Sequence, residues 1–134
     1  MADITFTITS HDGNRADGRL RWPAKGLDSP AVSGPHGKGA LPTGEYIAQR
    51  SKLLDRDGMP AYCDPAGSAT PQGHCWFQVF DDADHTDRTD LGVHPDGNVA
   101  GTEGCIGLQD KDTKPWYDAF YAVSGSTTVE VRNA

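Results

Sequence analysis

The sequence predicts a mostly β, single-domain protein with one short helix near its C-terminus. Three observations carry that expectation. The chain holds 16 glycines and 9 prolines among 134 residues, a turn-rich balance that leaves little room for long helices. Short runs rich in β-branched and aromatic residues recur along it, several with strict two-residue alternation. Only one stretch, DTKPWYDAFYAVSG, repeats its apolar residues at helical spacing.

The elements follow in order. ITFTI (4–8) alternates and reads as a strand, SHDGN supplies a turn, and GRLRW (18–22) is its candidate partner. Residues 23–40, crowded with Gly, Pro and Ser, are expected to be mainly loop. LPTGEYIAQ (41–49) reads as a turn entering a strand, and residues 55–74 as a second irregular stretch. WFQVF (76–80) is the clearest strand, DDADHTDRTD a charged surface loop, and LGVH (91–94) a further short strand. In the helix, Asp112 or Thr113 is placed to cap, Pro115 suits the first turn and Gly125 lies just past the end. Trp116, Phe120 and Val123 form its apolar face, read as core packing. STTVEV (126–131) closes the chain as a strand.

No repeat or linker divides residues 1–134, and a chain of this size buries roughly two-thirds of its unfolded surface, enough for one core. A hydrophobic content of 36% is low, but the recurring apolar runs argue against disorder. The net charge of -7, with no Lys/Arg cluster, speaks against nucleic acid as a partner. No apolar run approaches the ~20 residues of a membrane span. MADITFTITS lacks the basic and apolar regions of a secretory signal. The expectation is therefore a removed leader, another export route or a cytosolic protein.

Cysteines 63, 75 and 105 make an odd count. The simplest division bridges Cys63 to Cys75 and leaves Cys105 as a thiol; such a closure contributes about 3 kcal/mol in the chain-entropy model and implies an oxidising destination. Two ordinary thiols at Cys63 and Cys75 is the other division, and the spacing does not choose.

The chemistry concentrates in LGVHPDGNVAGTEGCIGLQ (91–109). His94 and Cys105 are eleven positions apart, too far to meet on one helix, but a loop or hairpin can join them. An ordinary thiol is only a few per cent thiolate at neutral pH, and an adjacent imidazole that takes its proton makes it a strong nucleophile toward carbonyl carbon. Gly104 permits close substrate approach and backbone N–H groups aimed at a developing oxyanion. The carbonyl of Pro95 is placed to accept from His94 and fix its tautomer. An inert buried cysteine and a structural histidine are the alternative reading.

The segment HPDGNVAGTEGCIGL resembles the signature of the L,D-transpeptidase catalytic domain family, a histidine followed by a Ser/Thr-x-Gly-Cys segment. It is most similar to the small branch found in secreted bacterial toxins and phage-associated proteins. AVSGPHGKGALPTGEYIAQ adds a Pro-x-Gly-x-Tyr turn of the kind that often precedes the motif, so the resemblance covers about residues 30–110. It implies a β-sandwich or barrel, peptidoglycan stem peptides as substrate, a cysteine acyl-enzyme, and no metal or organic cofactor. By position, Cys105 is the nucleophile, His94 the base and the Pro95 carbonyl the third member. Thr102 takes the Ser/Thr position, while Gly104 and Cys105 supply oxyanion donors. Glu103 and Gly107 depart from the pattern, where many members have His before the Gly and Arg or Asn after the Cys. Glu103 would oppose the thiolate or bind a substrate amine. The reaction expected is transpeptidation, or carboxypeptidase or endopeptidase hydrolysis, in the bacterial periplasm or cell wall. An antibacterial effector of this kind would reach it by a delivery apparatus and meet a cognate immunity protein.

Other residues complete the expected site. Arg88 is a candidate for a substrate carboxylate, against a plain surface charge. Tyr46 and Trp76 are candidate substrate-contacting residues, Tyr46 against a half-buried strand tyrosine; Trp76 and Phe77 face opposite ways on their strand, so one faces the core and the other is a candidate cleft wall. His74 and His36 are weaker candidates, and His11 reads as a turn residue. DDADHTD and DRDG fall short of a calcium loop, and zinc would need scattered ligands such as His74, His94 and Cys105. A catalytically silent module that binds wall peptides or a protein is the rival from another class.

Overall fold

A computed structural model describes residues 2–34, 39–55, 76–82, 91–95, 105–109 and 113–134. They form a closed barrel of eight strands with one α-helix. The strands are β1 Ile4–Asp12, β2 Arg15–Trp22, β3 Leu27–Ser33, β4 Gly44–Asp55, β5 Trp76–Asp82, β6 Gly92–Pro95, β7 Ile106–Leu108 and β8 Ser126–Asn133. Around the barrel they run β1-β2-β3-β7-β6-β5-β4-β8, and β8 closes it by pairing in parallel with β1. The β6–β7 pair is parallel too, and the remaining pairs are antiparallel. Closure leaves no open sheet edge.

Alternation builds the interior. Ile4, Phe6 and Ile8 of β1, Leu20 and Trp22 of β2, and Val129 and Val131 of β8 all point inward into one apolar cluster. At Gly18 of β2 a Cβ would stand 2.0 Å from the Thr7 carbonyl oxygen, so only glycine lets β1 and β2 approach where β1 is bulged between Ile8 and Ser10.

The segment 23–40, expected to be mainly loop, contains β3. Its inward positions include Ser29 and Ser33, which no hydrophobic pattern reveals. Both are buried with partners: Trp116 Nε1 donates to Ser29 Oγ at 2.9 Å, and the Leu41 amide donates to Ser33 Oγ at 2.8 Å. Pro30 interrupts the β signal as well, yet its carbonyl accepts from the Gln109 amide at 3.1 Å.

Helix α1, Lys114–Tyr121, lies within the predicted stretch and packs Phe120 against Trp22, the last residue of β2, and Trp76, the first of β5. Its Trp116, Ala119 and Phe120 are buried, with Val123 packed at the margin. The Phe120 ring centroid is 5.1 Å from that of Trp22 and 5.9 Å from that of Trp76, tilted pairs worth about 0.5–1.5 kcal/mol each beyond their buried area. Thr113 stands at the N-cap but makes no capping bond; its hydroxyl accepts from Trp76 Nε1 at 3.1 Å and ties β5 to the helix. No helix among the described residues is long and apolar enough to cross a membrane.

Candidate active site

β6 and β7 are buried on both faces. Val93, Ile106 and Leu108 belong to the barrel interior. Alternation then turns His94 and Gly107 to the outer face of the same two strands. The parallel register sets His94 opposite Gly107, and Cys105 lies two residues before Gly107. Cys105 sits in a bend immediately before β7, so this register brings the chain that carries it alongside β6, next to the strand that holds His94. Gly107 opposite His94 has no side chain to intervene.

Both groups are shielded, His94 4% and Cys105 6% exposed. Cys105 is a thiol and no part of a disulfide. His94 Nδ1 lies 2.7 Å from the Pro95 carbonyl oxygen. A carbonyl only accepts, so Nδ1 carries the proton and donates it, which leaves Nε2 of the neutral ring as an acceptor. Burial pushes the His94 pKa below its ordinary value, and the hydrogen bond to Pro95 opposes this more weakly. The neutral imidazole is therefore the resting form at neutral pH.

Phe77 completes this face. It stands next to His94 across the β5–β6 ladder, since Gln78 pairs with Val93, and its ring meets the imidazole edge-on at 5.5 Å and 83°. Of the adjacent pair on β5 it is Phe77, not Trp76, that joins the candidate base. Trp76 is fully buried on the interior side.

Tyr46 and Trp76 therefore do not line this face, contrary to expectation. Tyr46 points into the barrel at 1% exposure, and its hydroxyl donates to the Pro42 carbonyl at 2.6 Å. That bond closes the Pro42-Thr43-Gly44-Glu45-Tyr46 turn, in which Gly44 adopts φ 142°. The Pro-x-Gly-x-Tyr pattern is thus a self-locking entry to β4. Both aromatics are large enough to fill the barrel centre, and alternation from their neighbours sends them there.

His11, expected in a turn, lies on β1 opposite Ala16 of β2, its Nε2 3.0 Å from Asn133 Oδ1, because β1 runs on to Asp12 before the chain turns. Thr102, Glu103, Gly104, Arg88, His74, His36 and the Cys63–Cys75 pairing lie outside the described residues. Among the described residues no three His, Cys, Asp or Glu side chains gather where they could hold a metal ion. No signal in the sequence marked Phe77 over Trp76 or assigned β7 as a strand; the two-residue period on β5 stated only that the pair faces opposite ways. In comparisons with known proteins, no family model, curated protein or solved structure matches the chain.

Proposed function

We propose that the protein is a peptidoglycan-active cysteine enzyme of L,D-transpeptidase type, acting on stem peptides in the bacterial cell-wall compartment. One observation supports the reading: the β6–β7 register brings the chain carrying Cys105 alongside the strand of His94, whose imidazole is held by Pro95 in the tautomer a base requires. Burial disfavours the imidazolium, so the resting pair is thiol and neutral imidazole, and proton transfer accompanies attack. Nε2 takes the thiol proton as sulfur bonds to the carbonyl carbon of a diaminoacyl residue that precedes a D-amino acid. The tetrahedral oxyanion collapses, the C–N bond breaks, and the leaving amine receives the proton from His94. A second amine resolves the thioester to give exchange or a crosslink, or water resolves it to give a free carboxylate. The backbone N–H groups of Gly104 and Cys105 are the proposed oxyanion donors, with Thr102, Glu103 and Arg88 as proposed substrate contacts.

Incubation with purified muropeptides under reducing conditions tests this. Shortened or exchanged stem peptides are expected from the wild-type chain and none from Cys105→Ala. Unchanged peptides with both proteins reject the reading.

The shielding of both groups favours a second reading, a binding module that keeps the fold without turnover. Iodoacetamide distinguishes the two: alkylation of Cys105 that is slow and indifferent to His94→Gln supports the binder.

A further inference from the structure

We propose that the concavity between β4 and β8 is a binding site for a small monocarboxylate that carries an apolar group. The inference is independent of the Cys105–His94 reading. The site begins with a bulge. Ala48 of β4 pairs with Phe80 of β5 and Leu53 with Gln78, so Gln49, Arg50, Ser51 and Lys52 face Val79 alone. Such a bulge re-aims the side chains it carries. On its other side β4 stays tied to β8. Gln49 pairs with Ser126, and the Arg50 amide donates to the Gly125 carbonyl at 2.8 Å. An open concavity of about 690 Å³ results, lined among the described residues by Ile47, Gln49, Arg50, Ser51, Gly125 and Ser126. A Cβ added at Gly125 would meet nothing within 4 Å.

Charge selects the ligand. The chain carries 19 acidic residues against 12 basic ones, yet no carboxylate is among the described lining residues. Arg15, Arg19, Arg21, Lys52 and Lys114 each pair with an aspartate. Arg50 pairs with none among the described residues. Its Nε donates to the Tyr121 carbonyl at 2.9 Å, and its guanidinium carbon lies 4.2 Å from the centre of the Tyr121 ring. These contacts hold the guanidinium in place, so binding a ligand costs little further side-chain entropy. They engage Nε and one face of the group, and the terminal nitrogens donate to no described residue. A planar fork of this kind matches the two oxygens of a carboxylate. Ile47, 37% exposed, gives the same concavity an apolar seat, while Ser51 and Ser126 add hydroxyls. A single guanidinium balances one negative charge, which suits a monocarboxylate better than a phosphate.

The test follows backbone amide shifts of the 15N-labelled full chain on titration with N-acetyl-leucine at constant ionic strength. Saturable shifts are expected at Gln49, Arg50, Ser51, Gly125 and Ser126, with a Kd in the millimolar range usual for so small a ligand. N-acetyl-leucinamide lacks the charge and acetate the apolar group, and each is expected to bind on the order of tenfold more weakly. Arg50→Gln is expected to weaken binding by a similar factor. Arg50 also holds the helix end, so Ile47→Glu is the second variant. It alters neither contact of Arg50 with Tyr121, and it sets a carboxylate in the concavity. Loss of the shifts with an unchanged Tm is expected. Isocaproate distinguishes the sources on this same chemistry: affinity equal to N-acetyl-leucine supports a free acid, and weaker affinity supports a peptide end. Four results overturn the proposal: no saturable shift up to about 20 mM ligand, equal binding of the amide or of inorganic phosphate, wild-type binding by Ile47→Glu, or shifts confined to β6 and β7.

Discussion

Replacing Gly92 by alanine concentrates the stress of the outer face on one methyl group. Its Cβ would stand 2.1 Å from the Gln78 carbonyl oxygen and 2.5 Å from Phe77 Cε1. Unstrained contacts lie at about 3.5–4.0 Å, so β5 and β6 must separate by roughly 1 Å or more. The carbonyl is backbone and cannot swing aside like a side-chain end. Among the described residues the β5–β6 ladder has two registered pairs, Gln78↔Val93 and Val79↔Gly92, with the Phe80 amide donating to the Leu91 carbonyl at 2.7 Å beside them, so separation endangers a short contact. Overpacking costs about 1–3 kcal/mol and a lost hydrogen bond about 1 kcal/mol, giving a destabilisation of about 2–4 kcal/mol. For a chain of this size that lowers Tm by about 10 °C. Urea unfolding followed by circular dichroism measures it, and Gly13→Ala is the control. Gly13 has φ 60° but nothing within 4 Å of a Cβ, so only the left-handed strain of about 1 kcal/mol applies there. Were Gly92→Ala to unfold within about 0.5 kcal/mol of wild type, the close approach of β5 to β6 at Gly92 would be wrong.

The remaining predictions concern the helix end, the surface and the pH response. Ser29→Ala leaves the buried Trp116 N–H without the hydroxyl it donates to, and should cost about 1–3 kcal/mol in denaturant unfolding; a neutral result would deny that bond its role. Lys114→Ala removes an exposed i,i+4 pair with Asp118 and should change stability by no more than about 0.5 kcal/mol, less in high salt. His94, whose folded pKa is depressed below 6.5, binds its proton more readily when unfolded. Its contribution is full above 6.5 and is lost as pH falls from there through the depressed folded value. His94→Gln should therefore flatten the stability profile in that window. Asp28 and Asp81 act only at lower pH, because Arg19 and Lys52, respectively, hold their carboxyls below the usual 3.8. A profile equally steep with Gln at position 94 contradicts a buried neutral imidazole.

Several elements were legible because their side chains report their surroundings directly. ITFTI alternates, and β1 buries Ile4, Phe6 and Ile8 as that alternation requires. Trp116 and Phe120 repeat at helical spacing, and α1 buries both. β3 was hidden because its inward Ser29 and Ser33 are satisfied by an indole and an amide from distant parts of the chain. β7 was hidden because three residues are too few to show a period. Tyr46 and Trp76 were read as cleft candidates because an aromatic on an amphipathic strand fits either face. Their burial inside the barrel reflects which neighbours close around them.

By itself the sequence determined the turn-rich β character, the C-terminal helix and the residues able to do acyl-transfer chemistry, because these depend on local patterns and on functional groups. Only the tertiary structure decided that β6 runs parallel to β7, that His94 faces Gly107 across that pair, and that Phe77 rather than Trp76 stands beside the imidazole. The physical reason is the two-residue period of a strand. It fixes which side chains point together, but pairing across the barrel, set by the packing of the whole interior, decides which of the two faces meets which partner.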